Sequence, residues 1–115
     1  MTLTALVQQS LDDNKAEDIV VIDLHGKSSI ADSMIIATGR SQRHLSSMAE
    51  HLAVLLREQG IEDVGVEGVN VGDWVLVDGG DVIVHLFRPE VRRHYSLEKM
   101  WGLVVPADER QMALA

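Results

Sequence analysis

The sequence predicts an α/β domain: a mixed sheet of about five strands with flanking helices. Three observations carry that expectation. Apolar residues recur at helical spacing over residues 3–14 and 45–56, while β-branched runs of strand length lie between and after them. Residues 34–69 read as strand, helix, strand, the order of a right-handed parallel crossover. Val82 to Phe87 is apolar on both faces, with Val82, Val84 and Leu86 pointing one way and Ile83 and Phe87 the other. A strand of that kind belongs inside a sheet covered on both sides.

Each element has its own justification. Leu3, Leu6, Val7 and Leu11 place an amphipathic helix over residues 3–14, with Thr2 or Thr4 as N-cap and Asn14 at its end. Ile19 to Leu24 is a β-branched first strand, His25 to Ala31 a polar loop, and Met34 to Thr38 a second strand. Gly39-Arg40-Ser41 breaks that strand. Ser41 then caps a long helix whose apolar stripe is Leu45, Met48, Ala49, Leu52, Leu55 and Leu56, and which Gly60 closes. Val64 to Val69 is a weaker third strand, because glycines interrupt it. Trp74 to Val77 and Val82 to Phe87 form a hairpin across Asp78-Gly79-Gly80-Asp81, the Gly-Gly pair supplying the positive φ angles of a two-residue turn. Pro89 ends the last strand and opens a helix over residues 90–101, since proline lacks a ladder donor but suits a first helical turn. Residues 1–102 read as one domain and 103–115 as a C-terminal tail.

Composition narrows the function classes. With 115 residues and 46% apolar content the chain can bury a real core without staples. No apolar run reaches the roughly 20 residues that cross a bilayer, and the N-terminus lacks the basic start and small-residue cleavage site of a signal peptide. The expectation is no membrane and a cytoplasmic location. The absence of cysteine removes disulfides, thiolate metal sites and cysteine nucleophiles. A net charge of −8 argues against extensive direct contact with nucleic acid, whose phosphates demand a basic surface. An acidic domain can still dock on a basic protein of a nucleoprotein particle, and acidity equally serves plain solubility. Composition does not choose between these.

The candidate chemical motifs are weak. Gly26-Lys27-Ser28 resembles the end of a phosphate-binding loop, but the pattern needs a glycine at position 21, where Val21 stands, so a turn is the better reading. Thr38-Gly39-Arg40-Ser41 joins a strand to a helix N-terminus, where a nucleotidyltransferase would hold a phosphate. That chemistry also needs carboxylates clustered on a nearby strand to hold two divalent metals. The next strand offers only Glu67, and Asp73, Asp78 and Asp81 bracket the hairpin without forming a pair on one face. An ordinary N-cap fits better. His44 and His51 stand seven residues apart, too far for shared metal ligation, and His85 in its apolar strand reads as a hydrogen-bonded core histidine. No Gly-x-Ser-x-Gly elbow occurs, so no catalytic residue, metal or cofactor is expected. Trp101 reads as core filling. Trp74 starts a strand among acidic loop residues, the setting of an interface anchor. Arg92, Arg93, Glu98 and Lys99 read as a solvated helix face that could also rim a binding patch.

Two blocks, GKSSIADSMIIATGRSQRH and VEGVNVGDWVLVDGGDVIVHLFRPEVRRHYSLEKMWG, resemble the ribosomal silencing factor family RsfS, also called Iojap. The resemblance covers residues 3 to 102. It implies a nucleotidyltransferase-like α/β fold without transferase activity, in keeping with the missing carboxylate pair. It also implies binding to the large ribosomal subunit through ribosomal protein uL14, which blocks joining of the small subunit and slows translation under nutrient limitation. The free protein is then expected to be a homodimer. Resemblance and charge together place Trp74, Glu67, Asp81, Tyr95, Glu98 and Lys99 at or near the contact, with Trp74 as anchor. His94 and Met100 depart from the family pattern, in which an aromatic or leucine and a leucine stand there. Two other roles stay open: a large-subunit assembly factor, which needs the same surface, and an active nucleotidyltransferase.

Overall fold

The computed structural model describes residues 2–26, 29, 31–69 and 73–95. Its elements are α1 (Leu3–Asp13), β1 (Glu17–Asp23), β2 (Ser33–Thr38), α2 (Gln42–Glu58), β3 (Gly65–Glu67), β4 (Trp74–Asp78), β5 (Val82–Phe87) and α3 (Pro89–Tyr95). The five strands form one mixed sheet in the order β1-β2-β5-β4-β3. Among the described residues only β2 and β5 pair in parallel, and the other neighbours are antiparallel. β5, the strand with two apolar faces, lies at the centre.

The helix ends follow the expected chemistry. The Thr2 hydroxyl accepts the Ala5 N–H and the Ser41 hydroxyl accepts the His44 N–H, each satisfying a donor that the first helical turn leaves free. α2 ends with the Gly60 N–H on the Arg57 carbonyl and the Ile61 N–H on the Leu56 carbonyl, the paired bonds of a Schellman motif.

α1 and α2 lie on one face of the sheet. Val7 and Leu11 from α1 and Leu45, Met48, Leu52 and Leu56 from α2 pack on Ile35, Ala37, Val75, Val77, Val84 and Leu86. This inner face holds the main core. The opposite, outer face carries a smaller cluster of Leu24, Met34, Ile36 and Phe87, edged by Ile22, Trp74 and Val91. α3 covers one end of it.

Four expectations change in detail. The crossover leaving β2 through α2 leads to β3, which runs in the same direction but lies at the far edge, beyond β5 and β4. β2 takes β5 as its parallel neighbour, because the strand apolar on both faces fills the interior place while the exposed β3 takes an edge. The third strand shrinks from residues 64–69 to Gly65–Glu67. In the hairpin only Gly80 has a positive φ, of 83°. Gly79 is needed for space instead, since a Cβ there would come within 2.9 Å of Leu56. The Asp78 carboxylate completes the turn by accepting the Gly80 N–H at 2.9 Å.

The fourth change concerns Arg92, expected on a solvated helix face. It is buried at 9% exposure. Its Nη1 donates to the Thr38 hydroxyl at 2.8 Å and to the Asp18 carbonyl. Asp18 sits in a bulge of β1 with φ of 49°. Arg92 therefore ties α3 to β2 and to that bulge of β1, a tertiary tie that helix periodicity cannot forecast. The predicted helix over 90–101 begins at Pro89 and is described to Tyr95, and the tail over 103–115 lies outside the described residues.

Candidate functional site

Strand alternation builds the outer face. In β4, Val75 and Val77 point to the helices, so Trp74 and Leu76 point away. In β5 the same parity sends Ile83, His85 and Phe87 outward. The register sets Trp74 opposite Phe87, Leu76 opposite His85, and Glu67 of β3 opposite Leu76. Directly opposed residues share a face and touch.

The aromatic rings form one cluster. Trp74 stacks on Phe87 with centroids 5.2 Å apart and leans on His85 at 5.6 Å. His85 and Phe87 lie nearly parallel at 6.0 Å. The Trp74 Nε1–H donates to His85 Nδ1 at 3.0 Å. Phe87 is fully buried, whereas Trp74, Leu76 and Ile83 keep partial exposure. Burial pushes the His85 imidazolium down, to a pKa of about 4, by withholding the water that would solvate its charge. The ring is thus neutral at physiological pH, which is what an Nδ1 acceptor requires.

The open end of the hairpin is closed beside Trp74. The Arg88 N–H donates to the Asp73 carbonyl at 3.2 Å, and Arg88 Nη2 meets the Asp73 carboxylate at 2.7 Å. Glu90 stands 3.8 Å from the same guanidinium nitrogen. Both partners of the Asp73 pair are more than a third exposed, so it orients the loop and adds little stability. The result is an apolar, aromatic patch with Glu67 on the same face, and a charged group at its Trp74 end in which the Arg88 guanidinium stands between the Asp73 and Glu90 carboxylates.

The structure brings some of the expected residues together. Trp74 and Glu67 share the outer face, Glu67 lying across from the residue two beyond Trp74. Asp81 is exposed at the hairpin turn, at the other end of β5, about 17 Å of strand away. Its carbonyl accepts the Asp32 and Ser33 N–H groups at 2.8 and 3.1 Å, fastening the turn to the start of β2. Tyr95 is the last residue of α3, and only its helical backbone is described. Glu98, Lys99 and Trp101 lie outside the described residues, as do Lys27 and Ser28.

His85 is the hydrogen-bonded core histidine the sequence suggested, but its partner is Trp74, which only the strand register reveals. Leu76 and Ile83 were missed as members of the face. Their signal was alternation in Trp74-Val75-Leu76-Val77 and in the strand that follows.

Other chemistry does not assemble. The Ser41 turn and Glu67 lie at opposite sides of the sheet, with β5 and β4 between their strands, about 14 Å in all. His44 accepts the Arg40 N–H through Nδ1 at 3.0 Å and donates through Nε2 to the Asn14 carbonyl at 2.7 Å. His51 donates from Nδ1 to the Ser47 carbonyl at 2.8 Å, on the edge of a shallow groove of about 500 Å³ between the helices. Among the described residues no three His, Cys, Asp or Glu side chains are grouped to hold a metal ion. No helix among them is long and apolar enough to cross a membrane.

Fold and face together define a small α/β module, sealed by helices on one side and offering an aromatic patch on the other. The comparisons with known proteins give that class its family. The model of the family described as ribosomal silencing factor during starvation matches residues 2–115, and the chain belongs to that family. A ribosomal silencing factor RsfS from Zymomonas mobilis is 50% identical over 93% of this chain and 80% of its own length. One from Haemophilus influenzae is 46% identical over 89% of this chain and its whole length. A mouse protein named for mitochondrial assembly of the ribosomal large subunit is 35% identical over 88% of this chain and 44% of itself. A crystal structure of a Chromobacterium violaceum protein superposes with a TM-score of 0.82 at 42% identity, covering 87% of this chain and 83% of that one. The family is a regulatory one associated with the ribosome.

Proposed function

We propose that the chain binds the large ribosomal subunit through ribosomal protein uL14 and sterically blocks joining of the small subunit, lowering translation when nutrients are short. The observation that carries this reading is the partly exposed Trp74, seated in an aromatic cluster on the sheet face opposite α1 and α2, with Glu67 on that same face. A ring with one wet edge and a firm apolar backing is the form of a hot-spot anchor. The acidic charge of the chain suits a basic ribosomal protein and speeds encounter with it. The net charge of −8 also fits docking on protein with little direct contact to RNA. Trp74 is the anchor and Glu67 lies on the same face, while Asp81, at the far end of the hairpin, and Tyr95, Glu98 and Lys99 are further contacts in this reading. In this reading the module acts in the cytoplasm, without cofactor or catalysis, and is a homodimer when free.

The test is sedimentation of purified subunits through a sucrose gradient with and without the protein. Comigration with large subunits, together with a smaller joined-ribosome peak, is the expected result. Protein that remains at the top of the gradient would overturn the reading. A second reading is favoured by the name of the mouse relative: assistance in assembling the large subunit. Binding that leaves subunit joining intact would put that reading first.

A further inference from the structure

The aromatic patch contains one residue whose chemistry plain packing does not require. His85 occupies a buried position in β5 between Val84 and Leu86, at 9% exposure. A leucine or phenylalanine there would fill the space with no imidazole to desolvate. What the imidazole adds is an acceptor. The Trp74 indole has one polar group, a donor, and it is directed at His85 Nδ1 at 3.0 Å.

The position of the pair makes this bond a restraint on orientation. Trp74 opens β4, lies on the partly open face, and is stacked on Phe87 from one side. Stacking fixes the ring plane and leaves in-plane rotation and sliding available. The bond to His85, diagonal to Trp74 across the β4–β5 pair, removes that freedom. We propose that His85 is a positioning residue: by accepting the Trp74 indole N–H it holds the ring in one orientation on the open face before any partner arrives. The inference rests on the docking role of that face and names the residue that prearranges its anchor. Its neutral, Nε2-protonated form is the only one that can accept from the indole; burial keeps the ring neutral, and the bond itself selects the tautomer.

Holding a rotamer-rich side chain in its bound geometry is worth about three- to tenfold in affinity. Two substitutions separate position from packing. His85→Phe keeps a flat ring against Phe87 and removes the acceptor. His85→Asn gives up the ring but sets its amide oxygen where Nδ1 stood. In ¹H–¹⁵N spectra the Trp74 indole resonance, assigned with Trp74→Phe, should shift upfield in His85→Phe and return towards the native position in His85→Asn. Affinity for purified large subunits should fall about three- to tenfold in the first variant and recover in the second.

An unshifted indole resonance in His85→Phe overturns the proposal, and so does a shifted one with native affinity. Should His85→Phe not fold, the native protein still decides. Long-range ¹H–¹⁵N spectra must show His85 as the Nε2–H tautomer, and an Nδ1–H tautomer refutes the bond. Failure of the docking reading shows separately. Trp74→Ala binding large subunits like the native protein defeats it and takes the affinity half of this inference with it. Loss of binding in Trp74→Ala with native affinity in His85→Phe defeats the positioning role alone.

Discussion

Leu52 and Leu76 sit on opposite faces of one sheet. Leu52 projects from α2 onto the inner face and is wholly enclosed, while Leu76 of β4 stands on the outer face and stays partly uncovered. The core cluster that holds Leu52 is aliphatic and interchangeable in kind, with Val7, Leu45, Val75, Val84 and Leu86 among its members. The face that holds Leu76 is individual: His85 and Glu67 stand opposite it on the two neighbouring strands, and on the same face Trp74 stacks on Phe87 and donates its indole N–H to His85. A face that only has to exclude water needs volume and apolarity. A face that has to meet another molecule needs particular groups in particular places, and it gives up burial to present them.

That contrast predicts unequal costs. The largest belongs to the inner face: Leu52→Ala should lower unfolding free energy by about 3–4 kcal/mol, since helix and sheet enclose the site and collapse poorly around the void. Urea denaturation measures it, and a loss under 1 kcal/mol would mean that the inner core is loosely packed. The outer face should reveal itself through acid. The His85 pKa drops from 6.5 to about 4 on folding, so between those values the unfolded chain binds a proton that the folded chain refuses. Its contribution is therefore complete above pH 6.5 and declines as pH falls towards 4, by roughly 3 kcal/mol. The difference in stability between native protein and His85→Phe, followed from pH 7.5 to 4, isolates the histidine. A constant difference would break the link between burial and the state of His85.

The two faces were also unequally legible. The inner face could be read almost residue by residue, because the stripe of α2 and the alternation of β5 are local patterns produced by contact with a single core. Ser41 and Thr2 were legible as caps for the same reason: the bond each makes reaches only three residues along the chain. The outer face depends on register. That His85 meets Trp74 follows from pairing Trp74 with Phe87, and that Arg92 reaches Asp18 joins residues 74 positions apart. No periodicity encodes such pairs. Trp74 itself stood out through its acidic surroundings, and Glu67 only through the family resemblance, yet their common face emerged only once β3 was laid beside β4. Asp81 shows the converse: near Trp74 in sequence, it stands at the other end of the hairpin, a separation that only the strand lengths reveal.

The seam between the edge strand and the patch gives a smaller effect. Gly68 follows β3 with φ of 88°, and a Cβ there would fall 2.2 Å from the Trp74 carbonyl oxygen. Gly68→Ala should cost about 2 kcal/mol, from the left-handed backbone and the displaced start of β4 together. Because the displaced strand carries Trp74, its fluorescence should change along with stability. An unchanged emission spectrum at reduced stability would show that β3 can move away without disturbing the patch.

The sharpest comparison is Leu76→Ala, the same truncation as Leu52→Ala made on the other face. Leu76 is partly exposed, so part of its surface is hydrated before the substitution and water can enter the space left behind. Both the transfer and the cavity contributions shrink, and the loss of folding stability should be about 1 kcal/mol. Binding should behave the other way round. Leu76 lies between Glu67 and His85 in the strand register, on the face that carries Trp74. Its removal should weaken association with the large subunit more than it weakens the fold, whereas Leu52→Ala should harm the fold and leave the affinity of the still-folded fraction unchanged. Stability by denaturation and affinity by sedimentation, measured on both variants, test this directly. If Leu76→Ala costs as much stability as Leu52→Ala and no affinity, the outer face is a second core and not a surface kept open for a partner.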